Sequence, residues 1–295
     1  MLSYVLITPA RNEEQYIGKT LLSVISQSIL PLKWIIVSDG STDRTDAIVK
    51  DFTSKHSWIE LVIMPQRRDR HFAAKVVCFN AGYRRVIGLE YDIIGNLDAD
   101  ITFEPDYFEF LLARFEENPR LGVAGTPFVE ITSDKYNYNF TNIEHVSGAC
   151  QLFRKKCFEE IGGYIPIKGG GIDWAAVTMA RMKGWRTRTF IEKTCRHHRP
   201  MGTAEAGKLM AWFNHGKKDY SLGGHPVWEV LRSVFQMKSK PYVFGGLCLL
   251  IGYAWGAINR LDRPIPKELM RFHRGEQIQR LKNLLYGRNR PVELG

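Results

Sequence analysis

The chain has 295 residues, 44% hydrophobic and 24% charged, and its 41 Lys and Arg outnumber its 31 Asp and Glu to give a formal net charge of +10. These proportions exclude a disordered or low-complexity chain and allow one large α/β domain, or a domain with an appendage. The positive charge favours an anionic partner, such as substrate phosphates, acidic lipid or nucleic acid, without choosing among them.

The cysteines and the N-terminus both indicate a reducing compartment. There are five cysteines, an odd number, and none of them stands in C-x-x-C spacing. A disulfide framework or a zinc ribbon is therefore not expected. The chain begins directly with a strand-like segment at residues 4–8 and lacks the basic, apolar and small-residue regions of a signal peptide. We expect the protein to work inside the cell.

The first third of the chain predicts a parallel sheet. Apolar strand patterns at residues 4–8, 34–37 and 59–63 alternate with helical patterns. This β-α-β-α-β order is typical of the mononucleotide-binding type of sheet. Asn12 is a plausible N-cap of the first helix. Asp39 follows the second strand, where such folds place a polar residue for the nucleoside.

A fourth strand ends in two carboxylates. The apolar run within residues 91–100 finishes at Asp98 and Asp100, after a predicted helix at 73–88 that carries Lys75. Carboxylates at the carboxyl end of a central strand lie where α/β sheets bind ligands. Two of them would hold a hard divalent cation, or a cation and a ribose. The alternative is a polar turn that closes the strand.

Two later segments carry candidate catalytic residues. Three glycines at 169–171 precede a helix that starts at Asp173, whose alternative role is an N-cap. Further on, His197 and His198 lie in a basic segment, and one of them would complete a metal shell unless both are surface residues.

Two polar segments are candidate ligand loops. The basic residues 66–71 would lie over phosphates, and the aromatic and polar residues 135–140 would contact a sugar or acceptor. Each is equally typical of a solvated surface loop.

The last third reads as helical, with a break near residues 223–226. Residues 242–258 are almost wholly apolar and are flanked by Lys and Arg. Their length is near the lower limit of about 17 for a membrane-spanning helix, so a membrane pass, a surface association and a buried helix all stay open. The tail at 268–286 is basic and amphipathic, which suits an anionic leaflet, a dimer contact or core packing.

Several ordered motifs, spread over roughly residues 3–200, make the chain similar to the inverting family 2 of GT-A glycosyltransferases. They are ITPARNEE at 7–14, VSDGSTD at 37–43, DAD at 98–100, GAC at 148–150, IGGY at 161–164 and GID at 171–173. The resemblance implies a GT-A fold, with a Rossmann-like, mostly parallel sheet flanked by helices and a helical C-terminal extension. It further implies a catalytic domain over 1–225, with a nucleotide-binding half at 1–100 and an acceptor half at 101–225, and then a helical, apolar and basic region at 226–295.

The resemblance also implies roles for particular residues. The predicted nucleotide-binding residues are Thr8, Pro9, Arg11, Glu13, Asp39, Lys75 and Asp98. Asp100 would ligate Mg²⁺ or Mn²⁺, with His197 or His198 near the metal, and Asp173 would be the catalytic base. The family usually has Glu-Asp where this chain has Ile172-Asp173, so the base keeps its Asp and loses an acidic neighbour.

The expected function is that of a hexosyltransferase in cell-surface polysaccharide or glycolipid synthesis. Its partners would be a nucleotide-sugar donor, a saccharide or lipid-linked saccharide acceptor, and the cytoplasmic face of a membrane through residues 241–295. No nucleic-acid motif accompanies the charge. The Gln-x-x-Arg-Trp signature of processive members is absent after His198, so we expect one sugar per encounter.

Two alternatives stay open. One is a non-catalytic nucleotide- or carbohydrate-binding protein, which the presence of Asp98, Asp100 and Asp173 disfavours. The other is a sugar-nucleotide nucleotidyltransferase, which the absence of glycine from residues 9–14 disfavours.

Overall fold

The computed structural model of the protein describes residues 1–66, 72–130, 143–199 and 207–286. These divide into two compact units, one formed by Met1–Met201 and the other by Gly202–Gly295. The predicted domain boundary after residue 225 stays a prediction. The basic residues 67–71 and the whole predicted aromatic loop at 135–140 lie outside the described part of the chain.

The first unit is an α/β structure that contains every strand the sequence predicted in its first third. Its strands are β1 (Tyr4–Ala10), β2 (Lys33–Ser38), β3 (Ile59–Ile63), β4 (Ile93–Leu97), β5 (Ile101–Thr102), β6 (Leu121–Gly125), β7 (Phe128–Glu130), β8 (Cys150–Arg154), β9 (Arg186–Thr189) and β10 (Cys195–His197). Its helices are α1 (Ile17–Ile25), α2 (Thr45–Thr53), α3 (Phe72–Tyr83), α4 (Tyr107–Glu117), α5 (Lys155–Glu160) and α6 (Ile172–Met182).

A seven-stranded sheet forms the centre of this unit. Its strand order is β3-β2-β1-β4-β8-β6-β9. The first four strands run parallel to one another, and only β8 runs antiparallel to both of its neighbours. The predicted mostly parallel sheet is therefore confirmed. The carboxyl ends of β1, β2 and β4 meet at one edge, which is where α/β sheets open into ligand crevices.

The central strands are buried on both faces, which explains their unbroken apolar sequences. All five residues of β4 are buried. Gly95 lies between the side chains of Leu6 and Leu152, and a Cβ there would come within 2.6 Å of a methyl group of each. The packing of β4 against its two neighbours thus has no room for a side chain at this position.

A smaller sheet brings distant residues back to the end of β4. Its order is β5-β10-β7, with β10 antiparallel to β5. The register sets His197 opposite Ile101, one residue beyond Asp100. This pairing between segments almost a hundred residues apart places the histidines beside the Asp98–Asp100 turn.

Between residues 207 and 286, the second unit contains four helices, whose bounds match the predicted helical regions and the break between them. They are α7 (Lys208–Ser221), α8 (Pro226–Gln236), α9 (Tyr242–Ile258) and α10 (Lys267–Leu285). Helices α7 and α9 approach backbone to backbone, since a Cβ at Gly216 or Gly252 would collide with the carbonyl of Leu249 or Phe213. Within the part of the chain described here, no helix combines the length and the apolarity that crossing a membrane requires.

Candidate active site

The turn after β4 is fixed from two sides. The backbone N–H of Asp98 donates a hydrogen bond to the carbonyl of Ala149 at 2.8 Å. The carbonyl of the buried Ala99 accepts one from the Thr20 hydroxyl of α1, also at 2.8 Å. Both hydrogen bonds use backbone atoms of the turn. The carboxylates of Asp98 and Asp100 therefore remain available to contact other groups, and each contacts a different set.

Asp100 faces His197. The carboxylate is 6% exposed, and its Oδ1 lies 3.7 Å from Nε2 of His197. The other ring nitrogen, Nδ1, is hydrogen-bonded to the carbonyl of Arg199. Because a carbonyl can only accept, Nδ1 carries the proton, and in the neutral ring Nε2 presents a lone pair toward Asp100.

This arrangement fits a divalent cation. Histidines that ligate metals commonly donate their second ring N–H to a backbone carbonyl, as His197 does to Arg199. Among the described residues no group of three or more His, Cys, Asp or Glu could form a complete metal shell. Two protein ligands suit Mg²⁺, which is commonly bound by one or two carboxylates together with substrate phosphates and water.

His198 has a different role from its neighbour. Its Nε2 is hydrogen-bonded to the Thr102 hydroxyl at 2.9 Å, and its backbone N–H donates to the Asp100 carbonyl at 2.9 Å. The ring stacks on Tyr16, with 6.2 Å between ring centroids, and burial lowers its pKa. His198 therefore braces the turn, and His197 is the histidine whose free lone pair faces the carboxylate.

Arg199 is a site residue that the sequence prediction missed. Its Nη2 lies 2.5 Å from Oε2 of Glu13, and its Nε lies 3.7 Å from Oδ2 of Asp100. It thereby joins the loop after β1 to the end of β4. The segment was noted as basic, but only the β5–β10 register shows which acidic groups it meets.

Glu13 is strongly perturbed by this setting. Burial raises its pKa to about 7, against the opposing effect of Arg199, and the nearby charges of Asp100 and Asp98 raise it further. A buried carboxyl with a raised pKa beside other acidic groups is typical of functional sites.

The raised pKa of Glu13 predicts a pH-dependent stability that Glu13→Gln removes. Its folded pKa of about 7 lies above the ordinary value of 4.5. The unfolded chain therefore releases this proton at lower pH, and the free energy of unfolding falls as pH rises across that interval. We expect a shallower fall in Glu13→Gln, measured by urea unfolding at several pH values. The exposed Glu117→Gln should keep the wild-type slope, and an unchanged slope in Glu13→Gln would contradict the prediction.

The predicted nucleoside residues Arg11 and Asp39 come together. Nη1 of Arg11 lies 3.4 Å from Oδ2 of the buried Asp39. The predicted N-cap role of Asn12 is wrong, because α1 begins after Tyr16 and Asn12 adopts a left-handed backbone with φ of 56°. Instead its Oδ1 accepts from the backbone N–H of Thr42 at 2.8 Å and ties the loops after β1 and β2 together.

Thr8 and Pro9 stand apart from this group. The Thr8 hydroxyl is fully buried and accepts a hydrogen bond from the indole N–H of Trp34 at 2.9 Å. Its side chain belongs to the core, and the structure does not bring it to the other predicted residues. Pro9 follows at the partly exposed end of β1.

Lys75 pairs with Asp98. Its ammonium makes a short ion pair with Oδ1 of Asp98 and donates to the carbonyl of Gly148 at 3.3 Å. Burial raises the pKa of Asp98, and the charge of Lys75 opposes that shift. Asn96 donates to the same Gly148 carbonyl at 2.8 Å. A predicted donor-binding pair is thus anchored to the backbone at Gly148.

Asp173 reaches the other side of Gly148. Its Oδ2 accepts a hydrogen bond from the Gly148 backbone N–H at 3.2 Å. The N-cap of α6 is Gly171, with φ of 95°, so the alternative in which Asp173 caps its own helix is wrong. A Cβ on Gly148 would lie 3.0 Å from the Cβ of Asp173. Close approach at a glycine therefore links Asp173 to the Lys75–Asp98 pair, and Lys75, Gly148 and Asp173 line one small cavity.

Comparisons with known proteins identify sequences similar to this chain. The sequence model described as glycosyl transferase family 2 matches residues 5–139. The chain is 27% identical over 170 residues to a poly-beta-1,6-N-acetyl-D-glucosamine synthase of Staphylococcus epidermidis, covering 51% of this chain and 39% of that protein. It is 24% identical over 185 residues to a glucosyl-dolichyl phosphate glucuronosyltransferase of Haloferax volcanii, covering 55% of each.

A solved structure shares the fold. The mannosyltransferase PcManGT from Pyrobaculum calidifontis, determined with GDP-Man and Mn²⁺, aligns with a TM-score of 0.58 at 17% identity and covers 97% of this chain and 88% of that one. The predicted GT-A fold is confirmed by this likeness. The chain spans about two fifths to just over half the length of the two curated relatives.

Proposed function

We propose that this chain, which matches the glycosyl transferase family 2 model at residues 5–139, transfers a sugar from a nucleotide-sugar donor to an acceptor hydroxyl. The transfer inverts the configuration at the anomeric carbon. The observation that carries the proposal is the link through Gly148. One side of this residue holds the Lys75–Asp98 pair, and the other holds the carboxylate of Asp173. The proposed donor-binding pair and the proposed proton acceptor are thus both hydrogen-bonded to the backbone of Gly148.

The donor would lie along the carboxyl ends of β1, β2 and β4. Asp39 and Arg11 lie at the ends of β2 and β1 and would bind the nucleoside. Asp98, held by Lys75, would contact the ribose or the donor sugar. The backbone anchors around these groups keep them in place before the donor binds, which lowers the entropic cost of binding.

Asp100 and His197 would hold Mg²⁺ or Mn²⁺. When bound, the metal would neutralise negative charge on the leaving nucleoside diphosphate. Arg199 adds a fixed positive charge on the other side of the Asp100 carboxylate. Preorganised cations of this kind act where charge develops during the reaction.

Asp173 is the residue we assign as general base. An inverting transfer is a single displacement, so one carboxylate suffices to take the proton of the acceptor hydroxyl, and such catalysis contributes roughly 10²–10⁴ in rate. The Gly148 N–H binds one oxygen of the carboxylate and fixes its direction. The second oxygen is left to receive the proton.

Two relatives support a proposal for the acceptor class. One relative is a poly-beta-1,6-N-acetyl-D-glucosamine synthase, and another is a glucosyl-dolichyl phosphate glucuronosyltransferase. We propose a saccharide or lipid-linked saccharide acceptor, in polysaccharide or glycolipid synthesis at the cytoplasmic face of a membrane. The absence of the processive signature supports transfer of one sugar per encounter.

A thermal-shift panel tests the proposed function. The panel contains nucleoside diphosphates and nucleotide sugars with different bases, each measured with and without Mn²⁺. Ligands that carry one particular base should raise the melting temperature of the protein when Mn²⁺ is present. Ligand at a hundredfold excess over Kd stabilises the folded state by about 2.7 kcal/mol. Stabilisation by nucleoside triphosphates with sugar phosphates would instead support a nucleotidyltransferase. A panel in which no nucleotide shifts the melting temperature would overturn the proposal.

A further inference from the structure

Helix α8 has its polar side inward. Glu229, Ser233 and Gln236 recur at helical spacing, and all three are buried. The apolar side chains on the opposite side are about half exposed: Val227, Val230, Leu231 and Val234. A helix on the surface of a water-soluble protein normally has the reverse arrangement. The outward apolar stripe therefore calls for a partner that covers it.

Helix α9 repeats this pattern with glycines. Its buried side carries Gly245, Gly246, Gly252 and Gly256, which allow close contact with α7 and α8. Leu249 and Tyr253 are buried with these glycines, but seven other large apolar side chains are between 40% and 80% exposed: Tyr242, Val243, Phe244, Leu247, Ile251, Trp255 and Ile258. Gly246 lies against the Ser233 backbone of α8, so the two outward faces belong to neighbouring helices.

The charge of the protein is concentrated in the same unit. Residues 202–295 contain 15 Lys and Arg and 7 Asp and Glu, so this unit carries +8 of the net charge of +10. Lys238 and Lys240 precede α9, and Arg260 follows it. Lys217 of α7 lies over the ring of Trp255, 5.0 Å from its centroid. Apolar surface bordered by cations is typical of helices that lie in a membrane interface.

We propose that the outward faces of α8 and α9, hereafter the α8–α9 face, bind the surface of an anionic lipid bilayer. The charge argues against a second copy as the occupant, because two units of +8 would repel each other at that contact. Anionic headgroups attract basic residues by about 1 kcal/mol for each Lys or Arg near the surface. The inference specifies how the proposed membrane location is reached and depends only on the second unit.

The α8–α9 face overlaps the predicted membrane contact at residues 241–295 through α9 and extends beyond it through α8. For the amphipathic tail at 268–286 the sequence leaves a leaflet, a dimer contact and core packing open, and in α10 Leu269 is fully buried, while Phe272, Ile278 and Leu281 are partly buried. The apolar side of α10 thus contributes to packing within the unit, and α8 and α9 expose theirs instead.

Vesicle sedimentation of the full chain tests the proposal. Wild type should bind phosphatidylcholine vesicles that contain phosphatidylglycerol and bind pure phosphatidylcholine much more weakly. Phe244→Asn with Ile251→Asn should reduce binding to the anionic vesicles by at least about tenfold, given the burial energy of two large apolar side chains. Ile191→Asn is the matched control, since Ile191 is 58% exposed in the first unit and Ile251 is 56% exposed.

The outcomes separate the proposal from its rivals. Equal vesicle binding by the double variant and wild type would overturn it. The proposal would also be overturned if the wild-type protein did not bind vesicles but formed dimers in analytical ultracentrifugation, and the double variant formed none. Asp173→Asn should bind vesicles as wild type does, so failure of the proposed reaction and failure of the membrane proposal give different results.

Discussion

Asp173→Asn is expected to lower sugar transfer by roughly 10²–10⁴, the contribution of a positioned general base. The substitution is nearly isosteric, and the amide oxygen of Asn can still accept the hydrogen bond that Gly148 donates to Asp173 at 3.2 Å. What is lost is the ability to take a proton. Metal-dependent release of nucleoside diphosphate, measured with donor and acceptor present, reports the loss.

Donor binding separates this effect from misfolding. Because Asp173 contacts Gly148 rather than the Asp39 or Asp100 groups, the variant should keep the wild-type thermal shift with nucleoside diphosphate and Mn²⁺. Asp51→Asn, which removes an exposed carboxylate from α2, should keep full activity. If the rate of transfer in Asp173→Asn were within about threefold of the wild-type rate, the assignment of Asp173 as the base would be wrong. A threefold loss is far smaller than the loss expected on removing a general base.

The sequence was sufficient for the architecture of the first unit because its signals are local. Strand patterns such as residues 4–8 and 34–37 consist of apolar residues that are buried on both faces, and their alternation with helices dictates a parallel sheet. Asp39 and Asp98 were placed at the sheet edge by the same reasoning, since each follows a strand. The resemblance to family 2 was predicted from motifs and agrees with the family model that matches residues 5–139, and the predicted GT-A fold is confirmed.

The contacts within the candidate site depend on strand pairing between distant segments of the chain. They could therefore not be predicted from the sequence. Nothing in the local sequence sets His197 opposite Ile101, yet that register decides which histidine faces Asp100 and brings Arg199 to Glu13. Likewise, the sequence shows that α8 has two faces but not which one points inward. Burial of Glu229 is decided by packing among the helices of the second unit.

The structure also separates the roles of the two carboxylates in the DAD turn. Asp98 is paired with Lys75, so its charge is already balanced by the protein. Asp100 instead faces the His197 lone pair, and its other oxygen lies 3.7 Å from Nε of the partly exposed Arg199. Of the two, Asp100 is the one whose environment suits an added cation.

Asp100→Asn should therefore abolish the Mn²⁺-dependent part of nucleotide binding. Even partners that only orient a metal ligand are worth about 10–100-fold in affinity, so loss of the ligand itself should cost at least about 100-fold. Thermal shift with nucleoside diphosphate, with and without Mn²⁺, measures this directly. The metal-independent shift should persist, because the Arg11–Asp39 pair follows β1 and β2, whereas Asp100 follows β4.

The two histidines provide the sharpest control for the metal assignment. His197→Gln should weaken the Mn²⁺-dependent shift, because Nε2 of His197 faces the carboxylate of Asp100. His198→Gln should largely retain it, because Nε2 of His198 is already bonded to Thr102. If Asp100→Asn kept the wild-type metal dependence, the metal would have to lie elsewhere, and the role assigned to Asp100 would be wrong. If only His198→Gln lost the metal dependence, the assignment would pass from His197 to its neighbour.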